Sequence, residues 1–233
     1  MLMDTTFDFK TVKDRVKETI KNNIICLEFK PGFHLTLKQL GSAFPCDSEA
    51  IELALLELVD EGLLYTDSEM NYYISYIDLK AIKDFVDFRF LLERQLSVEI
   101  ISAVKDEDFV QLKEINNIMQ MHVKNDNNTE AIRFDKKFHQ YLYEIIGRNN
   151  WFEMLNRNSA QFDRFISMLM ILNDDHQIKE NHSDIIEAIS ERNPEKIFAN
   201  LTSHIVKALA NSDCFKNRFP NFFSNKASMQ KSN

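Results

Sequence analysis

The 233-residue sequence predicts a mainly α-helical protein, and three observations support that prediction. Only 4 glycines and 4 prolines are present, too few for the many tight turns of an all-β fold. Apolar residues recur at helical spacing through almost all of the chain after residue 77. Strand-forming residues are concentrated in two short runs, 63–66 and 72–76. We therefore expect a helical fold with one small hairpin.

The first 77 residues have the element order of a winged helix-turn-helix domain. Apolar spacing, capping patterns and stop signals predict three helices, over 10–25, 36–44 and 47–61. Thr36 and Gln39 form a capping-box pattern at the start of the second helix. Asp47 is placed to cap the third helix, and Gly62 is placed to end it. The polar stretch 67–71 then joins the two strand runs into a hairpin, which would form the wing.

The chain from residue 78 onward predicts an antiparallel bundle of helices. Apolar spacing indicates six of them, over 78–104, 107–125, 129–147, 150–171, 174–191 and 194–211. Asn193 and Pro194 mark the start of the last one, as a cap followed by a proline in the first turn. We expect a winged helix-turn-helix domain over 1–77, a helical domain over 78–215 and a partly disordered tail over 216–233.

Composition narrows the classes of protein that this chain can belong to. The three cysteines, Cys26, Cys46 and Cys214, form no paired motif and are typical of reduced thiols in a cytoplasmic protein. The N-terminus lacks the pattern of a signal peptide, and no apolar run is long enough to span a membrane.

The net charge of −8 does not favour nucleic-acid binding by bulk charge, so such binding would need a local basic surface.

A candidate metal site begins with Asp135 and His139, which are four residues apart in a predicted helix and so lie on one face of it. His182 and His204 lie on two later predicted helices and could join them inside the bundle. The alternative is a surface pair together with ordinary core histidines, as His34, His122 and His176 are expected to be. The spacing alone leaves both interpretations open.

The chain resembles the GntR superfamily of bacterial transcription regulators, in the branch with an FCD ligand-sensing domain. The matching positions in the N-terminal part are Ile24, Lys30-Pro31-Gly32, Leu35, Leu40, Ala54-Leu55 and the run from Leu58 to Leu63. The matching positions in the C-terminal part are 89–93, Asp135-x-x-x-His139, Gly147-x-x-Asn150, Glu180-Asn181-His182, Ile185, Ala188-Ile189 and Ser203-His204.

This resemblance implies a metal set of Asp135, His139, His182 and His204. The metal would be a divalent ion, zinc first, with nickel and manganese as alternatives. A small carboxylate metabolite would bind at its open side, with Arg89 as a second contact. The other interpretation of Arg89 is a structural ion pair with Glu93. The resemblance further implies a homodimer and a sensor, so we expect no enzymatic activity.

The predicted DNA-reading helix departs from the family pattern. Ser48 and Glu52 occupy the positions where the family usually has arginines, and the typical Arg-Gly of the wing is absent. Residues 1–77 contain seven Lys and Arg against 13 Asp and Glu, a net charge of −6. Lys38 and Ser48 remain as candidate DNA contacts, and Lys10, Lys13 and Lys21 could reach phosphates.

Three functions are compatible with the sequence. The first is a cytoplasmic, metal-dependent and metabolite-responsive regulator that binds DNA as a homodimer. The second is a degenerate relative that keeps the sensor, binds DNA weakly or not at all and works through a protein partner. The third is a helical metal-dependent enzyme. The acidic reading helix favours the second, the match along nearly the whole chain favours the first, and no candidate general base supports the third.

Overall fold

The computed structural model describes residues 11–172, 182–210 and 212–223. These residues form two compact units, of which the first ends at Tyr76 and the second is Ile77–Phe223. The fold is mainly helical with one small sheet, as the sequence predicts. Among the described residues, no helix combines the length and the apolar character needed to cross a membrane.

The first unit is a winged helix-turn-helix. Its helices are α1 (Val12–Ile25), α2 (Leu37–Ala43) and α3 (Ser48–Asp60). Its strands are β1 (His34–Leu35), β2 (Leu64–Thr66) and β3 (Tyr72–Ile74). They form an antiparallel sheet in the order β1-β3-β2, in which Tyr65 lies opposite Tyr73. Strand β1 was not predicted, because two residues are too few to show an alternating pattern.

Local hydrogen bonds explain where these elements begin and end. Thr36 accepts a hydrogen bond from the backbone N–H of Gln39, which completes the predicted capping box of α2. Asp47 occupies the N-cap position of α3, but its side chain makes no capping hydrogen bond, so that part of the prediction was wrong. Gly62 follows α3 with φ of +71°, a conformation that glycine adopts without strain, and ends the helix as expected.

The second unit is a bundle of helices. Its helices are α4 (Leu79–Ala103), α5 (Asp106–Lys124), α6 (Asn128–Ile145), α7 (Asn149–Asn158), α8 (Ala160–Leu172), α9 (Ser183–Ser190), α10 (Pro194–Ala210) and α11 (Ser212–Arg218). A 3₁₀ turn over Pro220–Phe222 follows. Asn193 accepts a hydrogen bond from the backbone N–H of Lys196, as expected of the cap before Pro194.

Two predicted helices of the bundle differ from the structure. The helix expected over 150–171 is two helices, α7 and α8, which are separated at Ser159. The Ser159 hydroxyl donates to the Asp163 carboxylate at 2.7 Å, a hydrogen bond to the first turn of α8. Of the helix expected over 174–191, the described part is α9, and residues 173–181 lie outside the description. Helix α11 was not predicted.

The core of the bundle positions the candidate site. Its buried apolar residues come from α4, α5, α6, α7, α9 and α10. Phe138 and Leu142 of α6 are fully buried in it. Because Asp135 and His139 are one turn apart on the same helix, burying Phe138 also fixes the side of α6 from which these two polar side chains project.

Candidate metal centre

Asp135, His139 and His182 are brought together inside the second unit. Asp135 Oδ1 lies 3.2 Å from His182 Nε2 and 3.8 Å from His139 Nε2. The two imidazole rings are perpendicular, with centroids 5.2 Å apart. Both histidines are buried, while Asp135 is partly exposed. The sequence separates His182 from the other two by more than 40 residues, so the tertiary fold alone makes this cluster.

His182 is held in place by a core aromatic ring and a buried amide. Its ring stacks on Phe138 with centroids 4.3 Å apart. Its backbone N–H donates to Asn116 Oδ1 at 3.2 Å, and Asn116 Nδ2 donates to the Ser183 hydroxyl at 3.3 Å. Asn116 therefore fixes the start of α9, where His182 is the N-cap residue. Asn116 was not predicted from the sequence, although an asparagine beside the apolar Ile115 in a helix is a detectable signal.

The donor atoms of these three side chains fit one divalent ion. They all lie within 4.8 Å of one another. With metal–ligand bonds of about 2.0–2.2 Å, neighbouring ligand atoms stand roughly 3–3.5 Å apart, so a small inward movement would complete such a site. Two imidazoles and a carboxylate suit zinc, nickel or manganese. His204 lies on α10, and its side chain is outside the described part of the structure.

Arg89 of α4 borders the cluster and also forms the ion pair that the sequence allowed. Its Nε donates to Glu93 Oε1 at 2.5 Å, and its Nη2 is 3.5 Å from His139 Nδ1. Its guanidinium lies 5.6 Å from the ring centroid of Phe162. The two interpretations of Arg89 are therefore compatible, because the same side chain pairs with Glu93 and lies against a candidate metal ligand.

Burial shifts the pKa of the polar groups around Arg89. Burial raises the pKa of Glu93, and the attraction of Arg89 only partly opposes that effect. Burial likewise raises the pKa of the Tyr143 phenol, with a further contribution from Glu93. Among the described residues, neither Glu93 Oε2 nor the Tyr143 hydroxyl has a hydrogen-bond partner. Buried polar atoms of this kind are normally satisfied by water or a ligand.

A fully buried arginine, Arg164, was not identified from the sequence. It lies on α8, which contacts α4 and α6, the helices of Arg89 and Asp135. Its side chain is fully buried, and burial lowers the pKa of its guanidinium to about 10. The detectable signal was an arginine between Phe162 and Phe165 in an otherwise apolar run.

The candidate DNA contacts lie on the first unit. Lys38 and Ser48 are exposed, as a DNA-binding role requires, and Lys10 lies outside the described residues. Lys13 instead forms an ion pair with Glu57 of α3, and Lys21 forms one with Glu61, the residue that follows α3. Two of the lysines expected to reach phosphates are therefore engaged by carboxylates of the same unit.

The remaining histidines that the structure describes occupy ordinary positions. His34 stacks on Tyr73 with centroids 4.9 Å apart, and His122 stacks on Phe134 with centroids 5.5 Å apart. His176 lies outside the described residues. Aromatic stacking is an ordinary structural use of an imidazole, so the expectation of non-ligand roles stands for His34 and His122.

Comparison with known proteins identifies the second unit. The FCD domain family matches residues 84–207, more than half of the chain. The HTH-type transcriptional repressor RspR of Escherichia coli K12 is 19% identical over 199 residues, which cover 83% of this chain and 86% of that protein.

Solved structures show the same fold at low sequence identity. E. coli McbR/YncC has a TM-score of 0.74 at 16% identity and covers 87% of this chain and 97% of its own. A GntR transcriptional regulator from Rhodococcus sp. RHA1 has a TM-score of 0.64 at 17% identity, and the match covers 85% of this chain and 96% of that regulator. With its FCD domain, its regulator relatives and these structural neighbours, the chain belongs to the GntR family of transcriptional regulators.

Proposed function

We propose that this regulator is a metal-dependent sensor of a small carboxylate metabolite that acts on DNA as a homodimer. The observation that supports it most is the cluster of Asp135, His139 and His182, with Arg89 beside it in the FCD domain. His139 and His182 are buried with the Asp135 carboxylate beside them, and a metal that the three side chains coordinate would account for this placement.

In this proposal Asp135, His139, His182 and His204 hold the ion, with zinc as the first candidate in the purified protein. When bound, such an ion would act as a Lewis acid that binds a carboxylate oxygen. Arg89 stays protonated beside the cluster. Burial alone would lower the pKa of its guanidinium, but the attraction and hydrogen bond of Glu93, together with the attraction of Asp135 and Tyr143, raise it. Arg89 can therefore orient the second oxygen of the same carboxylate.

Metal analysis of matched variants tests this proposal. We expect close to one equivalent of divalent metal per chain in the wild type after metal-supplemented purification, and little in His182→Ala or Asp135→Ala. His122→Ala is the control, because His122 stacks on Phe134 and is not one of the three clustered residues. Wild type without stoichiometric metal, or His182→Ala with full metal content, would contradict the proposal.

A second function is favoured by the ion pairs between α1 and α3. Lys13, Lys17 and Lys21 all pair with Glu57 or Glu61, so these cations are neutralised within the first unit. In this alternative the metal and ligand sensor is intact, while the winged helix-turn-helix binds DNA weakly or not at all. Selection of bound sequences from random duplex DNA distinguishes the two, because only the first function yields a defined site.

A further inference from the structure

The outer side of α3 has a continuous stripe of acidic and apolar side chains. The exposed side chains of this stripe are Glu49, Glu52, Leu53, Leu56 and Asp60. Each is three or four residues from the next, except that Glu52 and Leu53 are consecutive. Leu53 and Leu56 are 46% and 45% exposed, and they lie on adjacent turns between the acidic residues. The two leucines form one contiguous apolar surface with charged residues around it, whereas single scattered exposed leucines are ordinary on a protein surface.

The surroundings of this stripe, which we call the α3 stripe, are acidic. Residues 39–79 contain nine Asp and Glu and no Lys, Arg or His, and this range includes all of α3 and both strands of the hairpin. On the side of α3 that faces α1, Glu57 and Glu61 are paired with the lysines of α1. The charged groups of the α3 stripe itself are therefore all carboxylates, and they repel phosphate.

We propose that the α3 stripe is a docking surface for a cationic amphipathic helix of a partner protein. This inference deepens the second function above and does not depend on the metal centre. Glu49 and Asp60 are eleven residues apart, which is about 16 Å along a helix. A helix of similar length, with apolar side chains in its middle and Lys or Arg at both ends, would cover the two leucines and pair with the carboxylates.

Charge complementarity selects this occupant over the others. A second copy of the chain, docked through the same stripe, would place Glu49 and Glu52 against carboxylates of the other copy, which is unfavourable. Duplex DNA would face the same carboxylates and would leave Leu53 and Leu56 without apolar partners. A cationic amphipathic helix satisfies the charges and covers the apolar surface together.

Binding of a designed peptide to the full-length protein tests the inference. The probe is a fluorescent helical peptide of roughly 14 residues with a leucine face and lysines at both ends. Its affinity is measured by anisotropy, together with a scrambled peptide and one in which glutamate replaces lysine. We expect the lysine peptide to bind and both controls to fail, and we expect salt to weaken the binding.

Matched leucine variants locate the binding. Leu53→Ser with Leu56→Ser should weaken the lysine peptide at least about tenfold, because two partly exposed leucines lose their apolar contacts. Leu91→Ser is the control, since Leu91 is 71% exposed on α4. The Leu91→Ser substitution should leave the affinity for the lysine peptide unchanged. Equal thermal melting of all variants shows that folding is preserved, which is expected at exposed positions.

Three results would overturn the inference. The first is that Leu53→Ser with Leu56→Ser leaves the affinity for the lysine peptide unchanged. Another is specific duplex binding by wild type that the same pair abolishes, which would make the stripe a DNA surface. The third is that the wild type does not bind the peptide but self-associates in sedimentation experiments, and that the double leucine substitution abolishes this self-association. Chelator-treated protein should bind the peptide as well as untreated protein does, so failure of the metal proposal is seen separately.

Discussion

Arg89 combines a structural ion pair with a position beside the candidate metal centre. Arg89 and Glu93 form a buried pair one turn apart, and the same guanidinium lies 3.5 Å from His139. Removing one partner of a buried ion pair typically costs about 3–5 kcal/mol, because the other charge is left uncompensated. Substitutions of Glu93 are therefore poor probes of ligand binding, and conservative changes of Arg89 or of the histidines are better ones.

At this scale we predict that small carboxylic acids stabilise the wild type through the metal and Arg89. In a thermal-shift screen, an acid that raises the melting temperature of the wild type should have little effect on His182→Ala. It should have a reduced effect on Arg89→Lys, which keeps the charge but loses the two-pronged guanidinium. His122→Ala should respond like the wild type. Shifts of equal size in wild type and His182→Ala would show that the metal does not hold the ligand.

At the scale of elements, the ion pairs between α1 and α3 define the character of the first unit. Lys17 Nζ lies 2.6 Å from Glu57 and 3.1 Å from Glu61, and Lys21 Nζ lies 2.6 Å from Glu61. Apolar burial of Ile20, Ile24 and Leu55 holds the same two helices together. The ion pairs therefore add modestly to stability, and their larger effect is to remove these cations from the surface available to DNA.

The pH dependence of the first unit follows from these pairs. Burial alone would raise the pKa of Glu61, but hydrogen bonds from Lys21 and Lys17 outweigh it, so that the pKa is lowered below 4.5. The ionised Glu61 carboxylate stabilises the folded protein by about 0.2–1 kcal/mol at pH values above the pKa that Glu61 has in the unfolded chain. This stabilisation is lost as the pH falls through the lower pKa that Glu61 has in the folded protein. Glu61→Gln should therefore melt below wild type at neutral pH, and the difference should shrink in acid.

Circular dichroism of the full-length protein measures this difference. Glu49→Gln is the control, because Glu49 is exposed on the same helix and forms no ion pair among the described residues. It should melt like wild type at neutral pH. A difference between Glu61→Gln and wild type that stays constant down to the most acidic pH would count against the ion pairs.

The charge of α3 also predicts weak or absent DNA binding with a strong salt dependence. Each phosphate contact made by Lys or Arg changes the slope of log K against log salt by about 0.9. Ser48→Arg with Glu52→Arg adds two cations and removes one carboxylate on the exposed side of α3. If repulsion dominates, this double variant should bind generic duplex DNA more tightly than wild type and with a steeper salt slope.

The opposite result for the double variant is equally clear. The wild type could instead bind a specific DNA site at nanomolar concentration in physiological salt, and the double variant could lose that binding. This pair of results would show that the wild type binds an operator in the ordinary way. In that case Lys38 and Ser48 would be the first contacts to test by substitution, since both are exposed. Glutamates in the groove would then accept hydrogen bonds from bases such as cytosine.

At the scale of the whole molecule, each unit has its own core, and a single tryptophan reports on one of them. Trp151 is the only tryptophan of the chain and lies on α7 of the second unit, packed against the bundle core. The metal candidates are all in that unit as well. Tryptophan fluorescence therefore follows the unfolding of the FCD unit without a contribution from the winged helix-turn-helix.

We predict that metal raises the melting temperature seen by Trp151 fluorescence. An ion present at 100 times its dissociation constant adds about 2.7 kcal/mol to the native state, which is roughly 5–10 °C for a unit of this size. Chelator should reverse the shift. Asp135→Ala should abolish it, because the carboxylate lies within 3.2 Å of one histidine and 3.8 Å of the other. An unchanged shift in Asp135→Ala would place the metal elsewhere.

Local patterns in the sequence are sufficient to predict most of the secondary structure and one pair of residues in the candidate site. Helical periodicity predicted most helices of both units, and the Thr36 capping box and the cap before Pro194 were confirmed. Such signals are readable because they depend on residues within one or two turns of each other. Asp135 and His139 belong to the same class, since four residues of helix place them on one face without any help from the rest of the chain.

Features that join distant segments of the chain depend on tertiary packing. It brings His182 to Asp135 by burying Phe138 and Asn116, and it buries Arg164 in the bundle. It also divides the helix predicted over 150–171 at Ser159, where neither glycine nor proline marks a break. Packing against other helices sets these outcomes, and the energy of such packing depends on partners that no local window of sequence contains.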